Sequence, residues 1–407
     1  MPAPSNSLLL LPPPPSLISA ASLSAAYRPS VTATISSLGR LSSSTQLLVV
    51  LPYPSLHGRL KLPRSQIYDD VQRLIGGMYS LVCVVCAKIG VDVDSGTPGS
   101  IDARIIMIDY TPSLDSYNWA GSMDCMCGPI TNLPTLAMTR RHWSKIFSVE
   151  GEEGQKLFAR YSEAANRSSP PLVGQVELIG GGVSMVQKIP TYEHDAGASA
   201  VHKVVAVGGT FDHLHAGHKL LLTATALLLQ PSTAAPPAKS RLVVGITGDE
   251  LLKNKKYAEY LNSWKQRQED VVEFLLSVLS FTNSSRGETL EITSFDEPIP
   301  NGRAVHTNIK ACSITIECVE IQDPFGPTIT DESLTALVIS GETRSGGQAV
   351  NEKRLEKGWK ALEIYEVDVL DAEDAESSPT KTDDFASKIS STAIRKRRAE
   401  VARTSSL

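Results

Sequence analysis

The stretch from Val204 to His218, VVAVGGTFDHLHAGH, constrains the fold of this chain most strongly. Its apolar start, Val204 to Val207, predicts a buried strand, which the pair Gly208 and Gly209 ends. An apolar pattern typical of a helix begins at Lys219. Glycines let a ligand approach the backbone closely, and a helix N-terminus offers free N–H groups and a positive dipole to an anion. This stretch therefore predicts a strand–turn–helix unit that can bind an anion.

Two histidines, His215 and His218, close the stretch, and at a helix start their spacing places both on one face. A His-x-Gly-His pattern can also indicate a metal site, but no Cys or carboxylate accompanies it at ligand spacing. A glycine pair after a strand is often only a turn, and a histidine near a helix start is often a cap. From the residues alone, phosphate chemistry and this ordinary structural interpretation have about equal support.

The sequence GGTFDHLHAGH resembles the (T/H)xGH motif of the nucleotidyltransferase superfamily. These enzymes join a nucleoside monophosphate to a phosphorylated acceptor and release pyrophosphate. Further blocks follow in the order that the resemblance requires: GITGDELLKNKK at 245–256, DPFGP at 323–327 with VISGET at 338–343, and ISSTAIR at 389–395. Together they resemble the eukaryotic, fungal-type phosphopantetheine adenylyltransferase family of coenzyme A biosynthesis, over roughly the second half of the chain.

The resemblance implies transfer of AMP from ATP to 4′-phosphopantetheine, which yields dephospho-coenzyme A and pyrophosphate. Because the attacking group is already a phosphate, no protein nucleophile is needed, and catalysis should consist of positioning and charge stabilisation. The expected partners are ATP, with Mg²⁺ as its cofactor, and 4′-phosphopantetheine. Other enzymes of coenzyme A biosynthesis are further candidate partners, and no metal bound by the protein itself is expected.

The resemblance also assigns roles to individual residues. It implies that His218, His215 and Lys255 are catalytic, with His218 as the hydrogen-bond donor in the transition state. Lys255 is chosen from a basic cluster with Lys253 and Lys256, any of which could instead belong to a solvated face. Contacts to ATP or phosphate are assigned to Gly209, Thr210, Phe211, His215, His218, Glu342, Arg344, Ser390, Ser391, Thr392 and Arg395.

Two other polar residues, Asp212 and Arg267, are expected to support the site and not to take part in the reaction. Asp212 is expected to support the glycine loop and not to act as a base. Arg267 matches a position of the family, but a structural role is favoured for it. The hydroxyl groups from Ser390 to Thr392 can bind phosphate at a helix start, or they can form an ordinary N-cap.

The second half of the chain alternates between strand and helix patterns. Strands are predicted at 203–208, 241–247, 313–321, 336–340 and 362–369, and helices at 218–229, 265–281, 346–357 and 391–403. Such alternation predicts an α/β fold with a doubly wound parallel sheet, a Rossmann-like nucleotidyltransferase domain whose ligand lies at the carboxyl ends of the strands. We assign this domain to residues 196–407, with a polar linker at 190–201, and expect it to be active alone.

A smaller α/β domain of unknown role is predicted at 45–195, with strands at 46–51 and 101–109 and helical patterns at 65–90 and 142–166. Residues 1–44 are rich in Ser, Leu, Ala and Pro and contain no acidic residue, so we expect a disordered low-complexity extension. A targeting peptide is the less favoured alternative. A cytoplasmic location is expected, with mitochondrial association left open. Polar insertions at 231–240, 282–312 and 371–388 are expected to be loops.

The composition narrows the choice of function. A net charge of −5 in 407 residues gives no support for general nucleic-acid binding, and six cysteines do not make a disulfide scaffold. No apolar run reaches the roughly 18 residues that would indicate a transmembrane helix. A zinc site formed by Cys83, Cys86, Cys125 and Cys127 is conceivable, but buried thiols are favoured because the first pair lies in an apolar helical run.

Other functions are compatible with parts of the pattern. A cytidylyltransferase for a lipid head group shares HxGH but usually carries an RTEGISTT block, where this chain has ISSTAIR. A nicotinamide mononucleotide adenylyltransferase shares ISSTxxR but lacks DPFGP. A non-catalytic scaffold is disfavoured by the intact histidines. No GxxxxGK[ST] loop was found, so a monofunctional enzyme is expected.

Overall fold

The computed structural model of the chain contains two sheets, each at the centre of one α/β domain. It describes residues 4–405 except for 58, 61, 94–96, 111–126, 141, 168–170, 184–199, 231–238, 283–288, 300–301, 369 and 371–389. Most of the expected linker and of the loops expected at 231–240 and 371–388 therefore lies outside the described residues.

The N-terminal domain is built on six parallel strands in the order β4-β3-β2-β1-β5-β6. The strands are β1 Ser5–Leu10, β2 Thr45–Pro52, β3 Ile101–Asp109, β4 Ile130–Asn132, β5 His142–Val149 and β6 Val173–Ile179. The helices are α1 Ala20–Leu38, α2 Tyr68–Ile89, α3 Leu133–Thr139 and α4 Glu152–Asn166. Because β1 has neighbours on both sides, this sheet is doubly wound.

The expectation that residues 1–44 are disordered is wrong. The described part of this segment contains β1, which pairs with both β2 and β5, and α1, which Ser19 caps. Leu8 to Leu11 are at most 1% exposed. The low-complexity composition hides an apolar run whose burial depends on strands from much later in the chain, so local sequence gives little sign of it. The N-terminal domain therefore includes β1 and α1 and does not begin near residue 45.

The second domain is built on seven strands in the order β13-β12-β7-β8-β11-β10-β9. The strands are β7 Val204–Gly209, β8 Ser240–Thr247, β9 Leu290–Ile299, β10 Gly302–Ile309, β11 Ile314–Ile321, β12 Ala336–Ser340 and β13 Glu363–Val367. The helices are α5 Ala216–Leu228, α6 Trp264–Leu279, α7 Arg344–Glu356 and α8 Ser391–Ser405. Five strands are parallel, and the chain changes direction of winding between β7 and β12. The predicted Rossmann-like fold is confirmed.

The polar insertion expected at 282–312 contains two strands that were not predicted from the sequence. β9 and β10 form an antiparallel hairpin, and β10 continues the sheet by pairing with β11. Ile292 and Phe295 on β9 are exposed because this strand lies at the edge of the sheet. An edge strand needs no continuous apolar pattern, which explains why its sequence resembles that of a loop.

The two domains share one hydrophobic core. α2 of the N-terminal domain packs against α5 of the second, with Gly76 of α2 facing Leu220 of α5. The helical stretch Arg64–Ile89 is long and apolar enough to cross a membrane, but 72% of its most apolar window is buried inside the protein. Its apolar face therefore serves this shared core.

The cysteines follow the sequence interpretation only in part. Cys83 and Cys86 are buried free thiols in α2, as expected. Cys127 forms a disulfide with Cys312, with 5.7 Å between their Cα atoms, and so joins the two domains. Cys125 lies outside the described residues. The partner of Cys127 is 185 residues away, so no local spacing indicated this pair.

Candidate active site

The loop between β7 and α5 has a strained backbone. Phe211 and His213 have positive φ angles of 51° and 47°, a conformation that costs a residue with a side chain about 1 kcal/mol or more. Burial of the Phe211 ring and a 2.9 Å contact from His213 Nε2 to the Tyr260 carbonyl hold the loop. Gly209 is needed because an added Cβ would lie 3.0 Å from the Phe211 ring. Strain of this kind is concentrated at functional sites.

The two predicted catalytic histidines are brought together by the start of α5. The rings of His215 and His218 stack with 3.8 Å between centroids and 21° between planes, and Phe211 lies 5.4 Å from the ring of His218. The Nδ1 atoms of both histidines are buried and have no hydrogen-bond partner among the residues that the structure describes. Since buried polar atoms are nearly always paired, these two atoms mark a place where a polar ligand would bind.

Both imidazoles are neutral in the folded protein at neutral pH. The pKa of His218 is lowered to about 4, mainly by burial; Asp212 opposes this shift, and the nearby His213 and Lys219 add to it. Burial also lowers the pKa of His215 well below its usual range, and His218 and Lys219 add to this effect. The pair can therefore form hydrogen bonds to phosphate but does not act as two fixed cations.

Asp212 supports the loop, as its sequence position predicted. Its fully buried carboxylate accepts a hydrogen bond from the Asn262 N–H at 3.0 Å and forms an ion pair with Arg395 at 2.5 Å. The Asp212 carbonyl also accepts a hydrogen bond from Ser391 Oγ at 2.8 Å. These contacts connect the loop from Thr210 to His215, called the histidine loop below, to the start of α8, which carries the ISSTAIR block.

The hydroxyl groups of that block lie at the start of α8. Ser390 Oγ accepts a hydrogen bond from the Ala393 N–H at 3.4 Å, which is an N-cap contact, and Thr392 Oγ1 accepts one from Arg395 at 3.2 Å. Arg395 is 2% exposed and also donates to the Lys256 carbonyl at 3.1 Å. Its guanidinium thus holds the loop together, and its expected contact with phosphate stays a prediction.

A cleft of about 490 Å³ opens at the carboxyl ends of β7, β8 and β12. Its lining includes Gly208, Gly209, Thr247, Phe325 and Thr343. It lies at the point where the sheet changes its direction of winding, which is where doubly wound sheets bind nucleotides. The histidine loop begins at the edge of this cleft, because Gly209, which lines the cleft, directly precedes the loop.

Three other predicted site residues, Glu342, Arg344 and Lys255, differ in the contacts that their side chains make. Glu342 precedes Thr343 in a short helical turn, Gly341–Thr343. Arg344 is exposed and forms two 2.5 Å hydrogen bonds with Glu366 on β13, so it is already paired. Lys255 is exposed, and its side chain makes no hydrogen bond or ion pair with the described residues. Of these two basic side chains, that of Lys255 is the one free to reach a phosphate without breaking an ion pair.

Arg267 is structural, as predicted. It is fully buried in α6 and donates to the Thr210 carbonyl and to Asp249, both at 2.7 Å. Lys219 was not predicted from the sequence to take part; it directly follows His218 and pairs with Asp102 of the N-terminal domain at 2.7 Å. No local pattern signals a partner so distant in sequence.

Comparison with known proteins finds relatives for both domains of the chain. Residues 206–397 match the cytidylyltransferase-like family, and residues 1–185 match a family described as a domain of unknown function. An uncharacterized protein of Schizosaccharomyces pombe is 36% identical over 54% of this chain and 58% of its own length. The phosphopantetheine adenylyltransferase of Saccharomyces cerevisiae is 32% identical over 47% of this chain and 48% of its own.

An archaeal relative is covered more completely than these two, whose lengths the chain spans by only about half. The phosphopantetheine adenylyltransferase of Pyrococcus horikoshii is 32% identical, and the match spans 79% of that protein and 41% of this chain. The part of this chain that matches the cytidylyltransferase-like family, residues 206–397, contains His215, His218 and most of the seven-stranded sheet. The chain therefore belongs to the phosphopantetheine adenylyltransferase family of cytidylyltransferase-like nucleotidyltransferases.

Proposed function

We propose that this enzyme transfers the AMP group of ATP to 4′-phosphopantetheine, which yields dephospho-coenzyme A and pyrophosphate. The observation that carries the proposal is the pair of stacked, neutral histidines with unpartnered Nδ1 atoms, at a helix start beside a glycine-lined cleft. A neutral imidazole keeps one N–H group, which can donate a hydrogen bond to a phosphoryl oxygen.

In the proposed reaction, a phosphate oxygen of the acceptor attacks the α-phosphorus of ATP, and the bond from that phosphorus to the bridging oxygen of pyrophosphate breaks. Charge builds on the α-phosphoryl oxygens during this exchange. His218 and the first N–H groups of α5 would stabilise that charge, and His215 would orient the triphosphate. The glycine turn allows the phosphates to approach the backbone.

Two further contacts are proposed for the triphosphate. The hydroxyl groups of Ser390 and Ser391 lie at the start of α8, which hydrogen bonds hold against the histidine loop. Lys255 is exposed and could fold over a bound phosphate. Mg²⁺ would enter with ATP and neutralise part of the triphosphate charge. No cluster of three or more His, Cys, Asp or Glu side chains among the described residues is arranged to hold a metal.

A cytidylyltransferase activity is the second candidate, because the matching family model describes cytidylyltransferase-like proteins. The ISSTAIR block at the start of α8 favours the adenylyl reaction. A cytoplasmic location and association with other enzymes of coenzyme A biosynthesis are proposed only as consequences of this activity.

The test is pyrophosphate release by the purified full-length chain. We expect turnover with ATP, Mg²⁺ and 4′-phosphopantetheine, and none with pantetheine, which matches the acceptor but lacks the attacking phosphate. CTP with phosphocholine or glycerol phosphate should give little release. Robust turnover in that second mixture, with none from 4′-phosphopantetheine, would overturn the proposal in favour of the cytidylyl reaction.

A further inference from the structure

Two aspartates of the N-terminal domain, Asp92 and Asp102, lie near the amino end of β3. Asp102 is the second residue of that strand, and Asp92 belongs to the segment that precedes it. The N–H of Ile101 donates a hydrogen bond to the Asp92 carbonyl at 2.8 Å, so one short piece of backbone carries both side chains. This hydrogen bond therefore fixes the backbone at Asp92 relative to the start of β3.

Asp102 contacts the helix that carries the histidines. Its Oδ1 atom lies 2.7 Å from Lys219 Nζ, and its Oδ2 atom accepts a hydrogen bond from Arg104 at 2.8 Å. Asp102 and Lys219 are 8% and 5% exposed. Lys219 is the residue after His218, and its backbone N–H donates to the His215 carbonyl at 3.0 Å. A buried ion pair thus connects the N-terminal domain to the first turn of α5.

Asp92 and Arg104 contact two other helices of the second domain. Asp92 forms an ion pair with Arg397 on α8, the helix that begins with Ser391. Arg104 lies 3.2 Å from Glu273 Oε1 on α6. The same end of β3 therefore contacts α5, α6 and α8, and the first and last of these carry the predicted phosphate-binding groups.

We infer that the N-terminal domain is a positioning element of the catalytic site, in which Asp102 fixes the first turn of α5 and Asp92 fixes α8. Neither residue lies in the cleft, so both act through the helices they hold. The Asp102–Lys219 pair is buried, and such a pair contributes little net stability compared with apolar packing but defines one geometry; the Asp92–Arg397 pair is partly exposed. Catalysis needs such definition, because a displacement of about 1 Å can cost roughly 10²-fold in rate. The reaction used to measure this effect rests on the proposed function.

The first test compares Asp102→Asn and Asp92→Asn with the unchanged chain. Each should lower kcat for pyrophosphate release by roughly 10- to 100-fold, while KM for ATP changes only a few-fold. Glu177→Gln is the matched control, because Glu177 pairs with Lys145 at 3.0 Å inside the N-terminal domain and touches neither helix. It should keep normal kcat. If the Asp102 and Asp92 variants also keep it, the inference is wrong.

A second variant separates positioning from stability. Asp102→Asn alone leaves the Lys219 ammonium without its acidic partner and could unfold the chain. The double variant Asp102→Asn, Lys219→Met removes both charges of the pair, while Arg104 keeps its ion pair with Glu273, so it should be more stable to heat than Asp102→Asn alone. If the pair positions α5, kcat stays low in this variant. Recovery of kcat together with stability would show that the pair only stabilises the fold.

Hydrogen–deuterium exchange gives a readout that needs no substrate. In the Asp102 and Asp92 variants, the amides in the first turns of α5 and α8 respectively should exchange faster, while those of β7 should not change. Unchanged exchange in both helices would overturn the inference. If the unchanged chain releases no pyrophosphate from 4′-phosphopantetheine, the proposed function fails, and exchange alone still decides whether these aspartates hold the helices.

Discussion

Replacement of His218 by alanine should separate catalysis from stability at this site. In the proposed reaction His218 donates to an oxygen that gains charge only as the α-phosphorus is attacked. Its effect should therefore appear mainly in kcat and not in KM. Loss of one preorganised donor typically costs roughly 10²–10³ in rate, or about 2.7–4 kcal/mol, and His218→Ala should lose about that much kcat.

The same change should alter the free energy of unfolding little. The ring of His218 packs against those of His215 and Phe211, and loss of such contacts costs about 1–3 kcal/mol. Its buried, unpartnered Nδ1 atom is a penalty of about 1–3 kcal/mol that the substitution removes. The two contributions are of similar size and opposite sign, so the melting temperature should move by only a few degrees.

The assay is steady-state pyrophosphate release with 4′-phosphopantetheine and ATP varied in turn, alongside thermal unfolding. The control is His306→Ala, because His306 packs on Phe295 in the edge hairpin, away from the cleft. A hundredfold rise in KM with kcat intact would show that His218 binds the ground state, and its role as the transition-state donor would be refuted. A large fall in melting temperature would instead show that the unpartnered nitrogen costs the folded state little.

Further predictions follow from burial and charge. Deleting residues 1–44 should prevent folding, since it removes a central strand; a soluble truncated chain with normal turnover would contradict this. A fragment of residues 196–407 should aggregate or lose its helical circular dichroism, because the shared core would be exposed; a stable, active fragment would restore the expectation of an autonomous domain. Asp212→Ala should lower the free energy of unfolding in urea by about 3–5 kcal/mol, since it leaves buried Arg395 unpaired; the conservative Asp212→Asn should lose less. The pKa of His218 is about 4 in the folded protein and about 6.5 in the unfolded chain, so between these pH values only the unfolded state binds the proton. The free energy of unfolding should therefore have its full value above about pH 6.5 and fall by about 1–2 kcal/mol at pH 5, with a smaller fall in His218→Ala.

The second domain was predictable from sequence because its signals are local. Each predicted parallel strand is a short apolar run bounded by a turn, and all of them except 313–321 are followed by a helical pattern, so element type and order could be assigned without knowing the partners. The histidine loop was predictable for the same reason, since His215 and His218 are three residues apart on one helix turn. The buttressing role of Asp212 and the structural role of Arg267 also agree with the contacts observed.

The tertiary structure alone decided how the first half of the chain takes part. Leu8 to Leu11 form a core strand only because β2 and β5 lie on either side, and no local pattern separates such a run from a disordered, leucine-rich extension. The disulfide between Cys127 and Cys312, and the ion pair between Asp102 and Lys219, join residues more than one hundred positions apart. A sequence shows which residues can be neighbours along a helix or strand. It does not show which side chains from two separate sheets meet when those sheets share one core.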